Sequence, residues 1–285
     1  MINLLLKVGN YIDLMLKSII SVSKVIVFAK YFLPKPAISS TTCAILGNGP
    51  SLKFSLENNE AFLSNTELFC VNLFATTPYF EQFRPQNYFV LDDAFANEKH
   101  ALIPNCYKNM IEKTTWSMKL FVPVQFKKSG YVQKIFANHP HIQLVYYNYV
   151  ISNGFTWLNH WLYNKGLAMP QSQNVLVGSL FTAIGLGYKK IYLFGADHTF
   201  HEQYVLNEAG ELMYEDKHFY GEKNLKASTL VTQKESFLAK QFMNLHKVFK
   251  AYEILAAYAL KNDATVLNAS KRSYIDVFEK VKLGE

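Results

Sequence analysis

The sequence predicts an α/β fold with a mostly parallel, Rossmann-like sheet and helices on both faces. Short apolar runs alternate along the chain with stretches of helical periodicity, which is typical of repeated strand–helix units. The apolar runs are continuous, as expected for strands that are buried on both faces. The first run leads directly into a glycine-rich turn, Gly-Asn-Gly-Pro-Ser at residues 47–51. Ligands of such sheets bind outside the carboxyl ends of the strands, so this turn is the first candidate for a binding site.

The first predicted element is an amphipathic helix within residues 1–33. Lysine interrupts each window of about 20 residues that would otherwise be apolar enough to span a bilayer. Polar residues recur every three to four positions and share one face, whereas Leu, Ile, Val and Met share the other. This pattern predicts a helix on the surface of an anionic membrane; the alternative is a helix packed on the domain or on a partner subunit. Pro34, Pro36 and the Ser and Thr residues after them predict a short linker, so that residues 1–36 precede the main domain.

Residues 37–285 are expected to form the α/β domain. Seven apolar runs predict strands, because they are rich in β-branched or aromatic residues and are bounded by turn residues. They lie at residues 43–46, 68–72, 88–91, 120–124, 142–147, 190–194 and 265–267. Helical periodicity predicts helices at residues 175–186 and 233–261, with the aromatic residues of the second helix in the core.

Composition and charge exclude several classes of protein. Half of the residues are hydrophobic and only 18% are charged, which excludes a disordered or low-complexity chain. Residues 1–36 contain five lysines and one aspartate, so they carry +4 of the net charge of +7 and leave +3 for the rest. That remainder has no stripe of Lys or Arg, so nucleic acid is not expected as a partner. Cys43, Cys70 and Cys106 have neither metal nor redox spacing and indicate a reducing compartment.

The loops after the first three strands carry candidate ligand-binding residues. Gly47 and Gly49 permit positive φ and close backbone approach, and N–H groups there are suited to phosphate; a tight turn is the alternative. Asn72 offers a donor and an acceptor to a base or ribose edge. Asp92 and Asp93 are suited to a divalent cation that carries a nucleotide phosphate, unless they cap the next helix.

The loop after the strand at residues 190–194 begins the densest cluster of titratable residues in the chain. Histidine is the usual general base near neutral pH, so the cluster predicts acid–base chemistry. A zinc site of His198, His201 and His218 is a less favoured alternative, because their spacing is not that of a helical zinc motif. Scattered surface histidines are a further alternative. The cluster consists of Asp197, His198, His201, Glu202, Asp216, His218 and Glu222.

Two segments resemble the bacterial sialyltransferases of glycosyltransferase family 42. Residues 45–52, Ile-Leu-Gly-Asn-Gly-Pro-Ser-Leu, look like the family's first strand and nucleotide loop. Residues 186–197, Leu-Gly-Tyr-Lys-Lys-Ile-Tyr-Leu-Phe-Gly-Ala-Asp, are similar to its Leu-Gly-Tyr-Lys-Glu-Ile-Tyr-Leu-Ser-Gly-Ile-Asp stretch. The resemblance runs in order from about residue 42 to residue 270. It extends to a wider group of proteins with a Gly-Pro-Ser loop, which includes archaeal pterin pyrophosphokinase-like proteins.

The resemblance implies roles for individual positions. Asn72 falls where the family has an asparagine that contacts the nucleotide, and Asp92 falls where it has another asparagine. Residues 218–221, His-Phe-Tyr-Gly, are similar to the segment before the family's catalytic histidine, but this chain has Glu222 at that position. The nucleotide is therefore expected to contact Gly47, Asn48, Gly49, Ser51, Asn72, Asp92 and Asp197, with Tyr204, Tyr214 and Lys217 or Lys223 as donors to its phosphate.

The resemblance also implies a reaction. A GT-A-like sialyltransferase variant would perform an inverting transfer of a sugar, a CMP-linked, sialic-acid-like nonulosonic acid, to the hydroxyl of a surface-glycan or glycolipid acceptor. The base would be His218, Glu222 or His201, with His218 preferred. Residues 199–232 show few strand or helix signals and are expected to form a lid over the donor. No cofactor is required for this reaction, although Mg²⁺ or Mn²⁺ is compatible with it.

Two other functions are open at this point. A pterin pyrophosphokinase-like enzyme would use Asp92, Asp93 and Asp197 for ATP and magnesium. A non-catalytic, membrane-bound glycan-binding module is supported by the absence of the family's histidine at Glu222.

The helix at residues 1–33 gives the expected location of the protein. We expect a peripheral protein on the cytoplasmic, inner face of a bacterial membrane, engaged in lipopolysaccharide or capsule biosynthesis as a monomer or a homo-oligomer. Trp116, Trp157 and Trp161 are candidates for stacking on acceptor sugars, with core packing expected for at least two of them.

Overall fold

The computed structural model describes residues 2–98, 102–219, 221–226 and 236–283. Within these ranges the strands form one large parallel sheet and one small antiparallel sheet. In chain order the strands are β1 (Thr42–Leu46), β2 (Glu67–Val71), β3 (Asn87–Phe89), β4 (Met118–Pro123), β5 (Ile142–Tyr147), β6 (Lys190–Phe194), β7 (Tyr204–Leu206), β8 (Leu212–His218), β9 (Gly221–Lys226), β10 (Thr265–Asn268) and β11 (Glu279–Lys280).

Eight parallel strands form the centre of the fold, in the order β11-β10-β6-β1-β2-β3-β4-β5. Strand β1 pairs with β2 on one side, where Leu46 lies opposite Cys70, and with β6 on the other, where Leu46 lies opposite Phe194. From β1 the sheet therefore extends through β2, β3 and β4 to β5 on one side, and through β6 and β10 to β11 on the other. The loops that follow β1 and β6 therefore flank the topological switch point, where ligands of such sheets bind.

Helices pack on both faces of the sheet, as the sequence predicts. Ile45 of β1 packs in the cluster that includes Leu180 and Tyr252, whereas its neighbour Ala44 packs on the opposite face with Leu56 and Met110. Burial on both faces explains the continuous apolar runs. The helices are α1 (Ile2–Phe28), α2 (Leu52–Asn58), α3 (Glu60–Ser64), α4 (Tyr79–Phe83), α5 (Ile103–Lys113), α6 (Tyr131–Phe136), α7 (Thr156–Asn164), α8 (Val175–Leu186) and α9 (Phe237–Lys261).

All seven predicted strands are confirmed, as β1 to β6 and β10: β5 and β6 have the predicted bounds, and the ends of the others differ by at most two residues. The helix predicted at residues 175–186 is α8, and α9 begins at Phe237 instead of residue 233. Residues 233–235 lie outside the described part of the chain. The Ser236 hydroxyl accepts from Ala239 N at 3.4 Å, so a serine caps the start of this long helix.

The segment predicted as a lid contains regular structure that the sequence reading did not predict. A 3₁₀ turn at Phe200–Gln203 leads into an antiparallel sheet of β7, β8 and β9. The sequences of β8 and β9 are Leu-Met-Tyr-Glu-Asp-Lys-His and Gly-Glu-Lys-Asn-Leu-Lys. These strands are mostly polar, so they lack the continuous apolar run that predicts the strands of the main sheet. Residues 227–232 of the predicted lid lie outside the described residues.

Helix α1 packs on the domain through small polar side chains. Ser21 Oγ donates to the carbonyl oxygen of Asn153 and accepts from its N–H, both at 2.8 Å. Ser18 Oγ accepts from Phe155 N at 3.0 Å. A Cβ at Gly154 would lie 2.7 Å from Ser18 N, so glycine is required for this close approach. The predicted apolar face of α1 is exposed, and in the described chain no helix is both long and apolar enough to cross a membrane.

Candidate active site

A cavity of about 430 Å³ lies at the carboxyl ends of β1, β2, β3 and β6, at the switch point of the sheet. Its volume is in the range of roughly 300–1,000 Å³ that is usual for small-molecule sites. The wall combines the predicted loops with the start of α8 and the end of β8. It includes residues 47–50, Asn72, Asp92, Asp93, 172–176, Asp197, His198 and His218.

The loops after β1 and β6 interlock through three glycines. Gly47 N donates to Phe194 O at 2.7 Å, and Gly49 N donates to Gly195 O at 2.9 Å. A Cβ at Gly47 or at Gly49 would lie 2.6 Å from Gly195 O, which no relaxed packing tolerates. Gly195 itself has a φ of +59°, in the left-handed region that favours glycine. The glycines therefore bring two backbones together and at the same time line the cavity.

Asp197 joins these two loops through its side chain. Its carboxylate accepts hydrogen bonds from the backbone N–H of Ser51, at 2.7 Å, and from the Ser51 hydroxyl. Burial raises the pKa of Asp197 above its ordinary value of 3.8, although the Ser51 hydrogen bonds oppose that shift. Asp197 lines the cavity, whereas Ser51 lies behind the wall as its partner. Both Ser51 and Asp197 were expected to contact the nucleotide, but of these two residues only Asp197 lines the cavity.

Two asparagines on the wall carry buried carbonyl oxygens without a hydrogen-bond partner among the described residues. Asn48 donates from Nδ2 to Val71 O at 3.3 Å, while its Oδ1 has no partner. Asn72 Oδ1 is likewise buried and unpartnered, and Asn72 has a φ of +48°, which is unusual for a residue other than glycine. Ser172 Oγ and Gln203 Oε1 line the same cavity and also lack a partner among the described residues, so the wall offers four buried oxygens to a ligand or to water.

Asp92 and Asp93 both line the cavity after β3. Asp92 Oδ1 accepts from Ala94 N at 2.8 Å and so caps the short turn Asp93–Ala96. The capping interpretation of Asp92 is confirmed, and because Asp92 also faces the cavity its binding of a divalent cation stays a prediction. Within the described ranges, no group of three His, Cys, Asp or Glu side chains is arranged to hold a metal ion.

His198 is a buried residue of the cavity wall, and its imidazole is neutral. Asn174 caps α8, because its Oδ1 accepts from Val177 N at 2.9 Å. In this orientation the Nδ2 of Asn174 points to His198 Nε2 at 3.1 Å. Tyr252 OH lies 2.8 Å from the same nitrogen. An amide NH₂ can only donate, so Nε2 accepts and Nδ1 carries the proton. Burial lowers the pKa of His198 to about 4, against a hydrogen bond to the Ala196 backbone.

His198 therefore holds three elements together and is a poor base, because its lone pair is already engaged. The sequence predicted His198 as a member of the titratable cluster and as a ligand of the less favoured zinc site, but it did not predict the partners Asn174 and Tyr252. Asn174 had a detectable signal, since Asn directly before a run of helical periodicity is typical of a helix N-cap. Tyr252 had none, because it reads as one more core aromatic of α9.

His218 stands at the end of β8 and lines the cavity beside Asn48. Its Nδ1 lies 3.4 Å from Asn48 O, and Phe219 N donates to the same oxygen at 3.3 Å. The Phe219 ring packs on Phe74 with ring centroids 5.8 Å apart. These contacts fix the end of β8 and Phe219 over the glycine-rich loop. A neutral imidazole that donates from Nδ1 carries its lone pair on Nε2.

The structure does not bring the remaining predicted residues to the cavity wall. His201 packs on Tyr274 with ring centroids 4.3 Å apart. Tyr204 packs on Tyr214 at 5.4 Å and on Phe237 at 5.9 Å. His198, His201 and His218 have different partners, so the zinc alternative has no support in this arrangement.

Four predicted residues of the small sheet have side chains outside the described part of the chain: Asp216, Lys217, Glu222 and Lys223. Glu222 lies in β9 with its backbone opposite Lys217 of β8, and Lys223 follows it.

The expected core packing of at least two tryptophans is wrong. Trp157 and Trp161 are 70% and 53% exposed, and Trp116, which donates to Pro85 O at 2.8 Å, is the one that is partly buried.

Comparison with known proteins adds one finding about the fold. No protein-family profile matches the chain, and no curated protein matches it either. Among solved structures, the MAf glycosyltransferase from Magnetospirillum magneticum AMB-1 matches with a TM-score of 0.51 and 15% sequence identity. The match covers 89% of this chain but 35% of that one, so this chain spans about a third of the length of its structural neighbour. The two proteins share the α/β fold.

Proposed function

We propose that the protein is a glycosyltransferase that binds a nucleotide sugar in the cavity between the loops after β1 and β6. The observation that carries this proposal is the pair of unpartnered oxygens, Asn48 Oδ1 and Asn72 Oδ1, on a wall that also carries His218. A nucleotide base carries ring or amino N–H groups, and such oxygens can accept hydrogen bonds from them. The structural neighbour is named a glycosyltransferase, which supports the reaction class.

The proposed donor is a CMP-linked nonulosonic acid. The exocyclic amino group of cytosine is a donor, and N3 and O2 are acceptors, so cytosine complements an asparagine amide that presents both kinds of group. The likeness of residues 45–52 and 186–197 to the sialyltransferase family supports the same donor. A surface glycan or a glycolipid is the proposed acceptor.

In the proposed reaction an acceptor hydroxyl oxygen attacks the anomeric carbon of the donor from the face opposite the leaving group. The bond between that carbon and the CMP phosphate breaks, and its electron pair leaves with the phosphate. The hydroxyl proton passes to a base, which we assign to Nε2 of His218, with Glu222 second. His201 is the least favoured base, because it packs on Tyr274 away from the cavity wall.

The departing phosphate needs compensation for its charge. No Lys or Arg lines the cavity in the part of the chain that the structure describes. The N-terminus of α8, a helix of 12 residues capped by Asn174, faces the cavity with Val175 and Leu176 and is a favourable environment for an anion. Asp92 and Asp93 would complement a Mg²⁺ or Mn²⁺ ion that is mainly held by the phosphate oxygens.

A pyrophosphokinase has less support from the same cavity. It would need carboxylates for a magnesium ion, and one of the three expected to supply them, Asp197, is already hydrogen-bonded to Ser51. A non-catalytic, membrane-bound glycan-binding module is also less favoured, since the structural neighbour is named a glycosyltransferase.

A thermal-shift panel tests the donor. We expect CMP to raise the melting temperature, with smaller effects from UDP, GDP and ADP. At a CMP concentration of 100 times Kd, binding adds about 2.7 kcal/mol to the free energy of unfolding. Stabilisation by ATP with magnesium and a pterin, without any CMP effect, would favour the pyrophosphokinase. The absence of any nucleotide effect would refute a nucleotide-dependent enzyme.

Substitution of His218 tests the base. His218→Ala should lower the rate of transfer by about 10²–10⁴-fold, because a positioned base contributes that much, and should leave the CMP-induced thermal shift in place. His201→Ala is the matched control, since it removes a histidine that does not line the cavity, and should retain activity. A fully active His218→Ala variant would exclude His218 as the base.

A further inference from the structure

Helix α1 exposes a large apolar surface although it is attached to the domain. Leu4, Ile19 and Val27 are 66%, 56% and 69% exposed, and other large apolar side chains of the helix are exposed as well. The residues that the helix buries are Ser18, Ser21 and Val25. A helix that served only to cover the core would turn its apolar face inward. A contiguous patch of exposed apolar side chains usually marks an interaction surface.

Helix α7 extends this apolar surface with aromatic side chains. Trp157 and Trp161 are four residues apart and therefore share one face of the helix. Phe155, just before α7, stacks on Trp157 at 6.4 Å and contacts Tyr11 of α1 at 5.2 Å. Leu14 of α1 lines the same groove as the two tryptophans. We call this combination of α1, Phe155 and the two tryptophans the α1–α7 surface.

The hydrogen bonds at Ser18 and Ser21 fix α1 against the segment before α7. At Lys30 the chain is fixed a second time, since Lys30 N donates to Asn148 Oδ1 and Asn148 Nδ2 donates back to Lys30 O, both at 2.8 Å. The helix and the tryptophans are thus held in one arrangement. They form a single surface of the folded protein instead of a tethered peptide beside it.

The charge around the α1–α7 surface is positive. Residues 1–36 hold five lysines, and their single acid, Asp13, is paired with Lys17 at 2.6 Å. The groove between α1 and α7 is lined by Lys261 and, among the described residues, by no Asp or Glu. A second copy of the same surface would bring lysines together, whereas an anionic lipid surface complements them. Tryptophan is the residue type most typical of the boundary between lipid chains and headgroups.

We propose that the α1–α7 surface docks the protein on an anionic bilayer, with α1 lying in the interface and Trp157 and Trp161 entering the headgroup boundary. The apolar residues of α1 supply burial, and the long lysine side chains reach the lipid phosphates. This inference is independent of the reaction in the cavity.

Flotation of the full chain with lipid vesicles tests the docking. We expect the protein to float with vesicles of phosphatidylcholine and phosphatidylglycerol, and to float poorly with phosphatidylcholine alone or in high salt. The pair Lys7→Gln and Lys24→Gln should lower binding to anionic vesicles by about tenfold or more, since each lysine near the surface contributes to binding. The pair Trp157→Ala and Trp161→Ala should also lower it. Leu206→Ala, which alters a 71% exposed leucine of β7, is the control and should bind normally.

Tryptophan fluorescence tests the orientation. Lipids brominated near the headgroup should quench the wild-type protein, and much of that quenching should disappear after Trp157→Phe and Trp161→Phe, which leave Trp116 as the one tryptophan. Equal binding to neutral and anionic vesicles would refute the role of charge. Unchanged binding of the tryptophan pair would refute the composite surface. Absence of vesicle binding together with a concentration-dependent dimer would show that a second copy covers the surface, and would overturn the proposal.

Discussion

Asp197 accepts hydrogen bonds from both the backbone N–H and the hydroxyl of Ser51, 146 residues earlier in the chain. This contact fixes the loop after β6 on the start of α2. It lies beside the backbone hydrogen bond from Gly49 to Gly195, so the two loops at the switch point form one unit. The geometry of the cavity wall depends on this unit.

Removal of the Asp197 carboxylate should destabilise the protein. Asp197→Ala leaves the Ser51 N–H and hydroxyl without their partner in a buried place, which costs about 1–3 kcal/mol. Asp197→Asn should cost less, because its Oδ1 still accepts one hydrogen bond. Urea unfolding at neutral pH measures both values. Equal stability of wild type and Asp197→Ala would show that the contact does not stabilise the fold.

Acid should destabilise the protein through His198. Its pKa is lowered from 6.5 in the unfolded chain to about 4 in the fold, so the unfolded state binds more protons between these values. The contribution of His198 is therefore complete above pH 6.5 and is lost as the pH falls towards 4. From pH 7 to pH 5 the loss is about 2 kcal/mol. Urea unfolding at a series of pH values measures it.

The matched variant for this effect is His198→Gln, whose side-chain oxygen accepts from Tyr252 without titrating. Its free energy of unfolding should depend less on pH between 7 and 5 than that of the wild type, by about the same 2 kcal/mol. If the two proteins show the same slope, another group is responsible for the pH dependence.

Glycine is required at position 49 but not at position 9. In Gly49→Ala the new Cβ would meet Gly195 O at 2.6 Å and the Asp197 carboxyl carbon at 2.7 Å. We expect a loss of about 1–3 kcal/mol in stability, together with weaker nucleotide binding. Gly9→Ala is the control, because no atom lies within 4 Å of its added Cβ, and it should stabilise α1 by up to about 1 kcal/mol. Thermal unfolding of the two variants gives opposite shifts if this explanation is correct.

Asn72→Gly separates ligand binding from stability. The φ of +48° favours glycine, so the fold should keep its stability or gain slightly. The variant loses the amide oxygen that we assign to the nucleotide base, and CMP binding should weaken about tenfold or more, which corresponds to roughly 1.4 kcal/mol. Calorimetric titration with CMP measures this change. Unaltered CMP affinity would mean that Asn72 does not contact the nucleotide.

The strands and the loops after them could be predicted because each depends on a short stretch of sequence. Burial on both faces forces continuous apolar runs, as in residues 43–46 and 190–194, and both became strands of the main sheet. Strands β8 and β9 escaped prediction, since polar strands of a small sheet have no such signature. The placement of Tyr204 and Tyr214 against each other, and not on the cavity wall, follows from that missed pairing.

The α/β class, seven strands of the main sheet and the loops that meet at its ligand-binding edge follow from the amino-acid sequence, because local periodicity and the rule for carboxyl ends suffice for these. Other contacts became visible in the assembled fold: Ser51 donates to Asp197, Asn174 and Tyr252 contact the Nε2 of His198, and serine side chains bind α1 to the domain. The reason is physical. These contacts join side chains that are 24 to 146 residues apart, and no local pattern encodes which of them meet when the sheet is assembled.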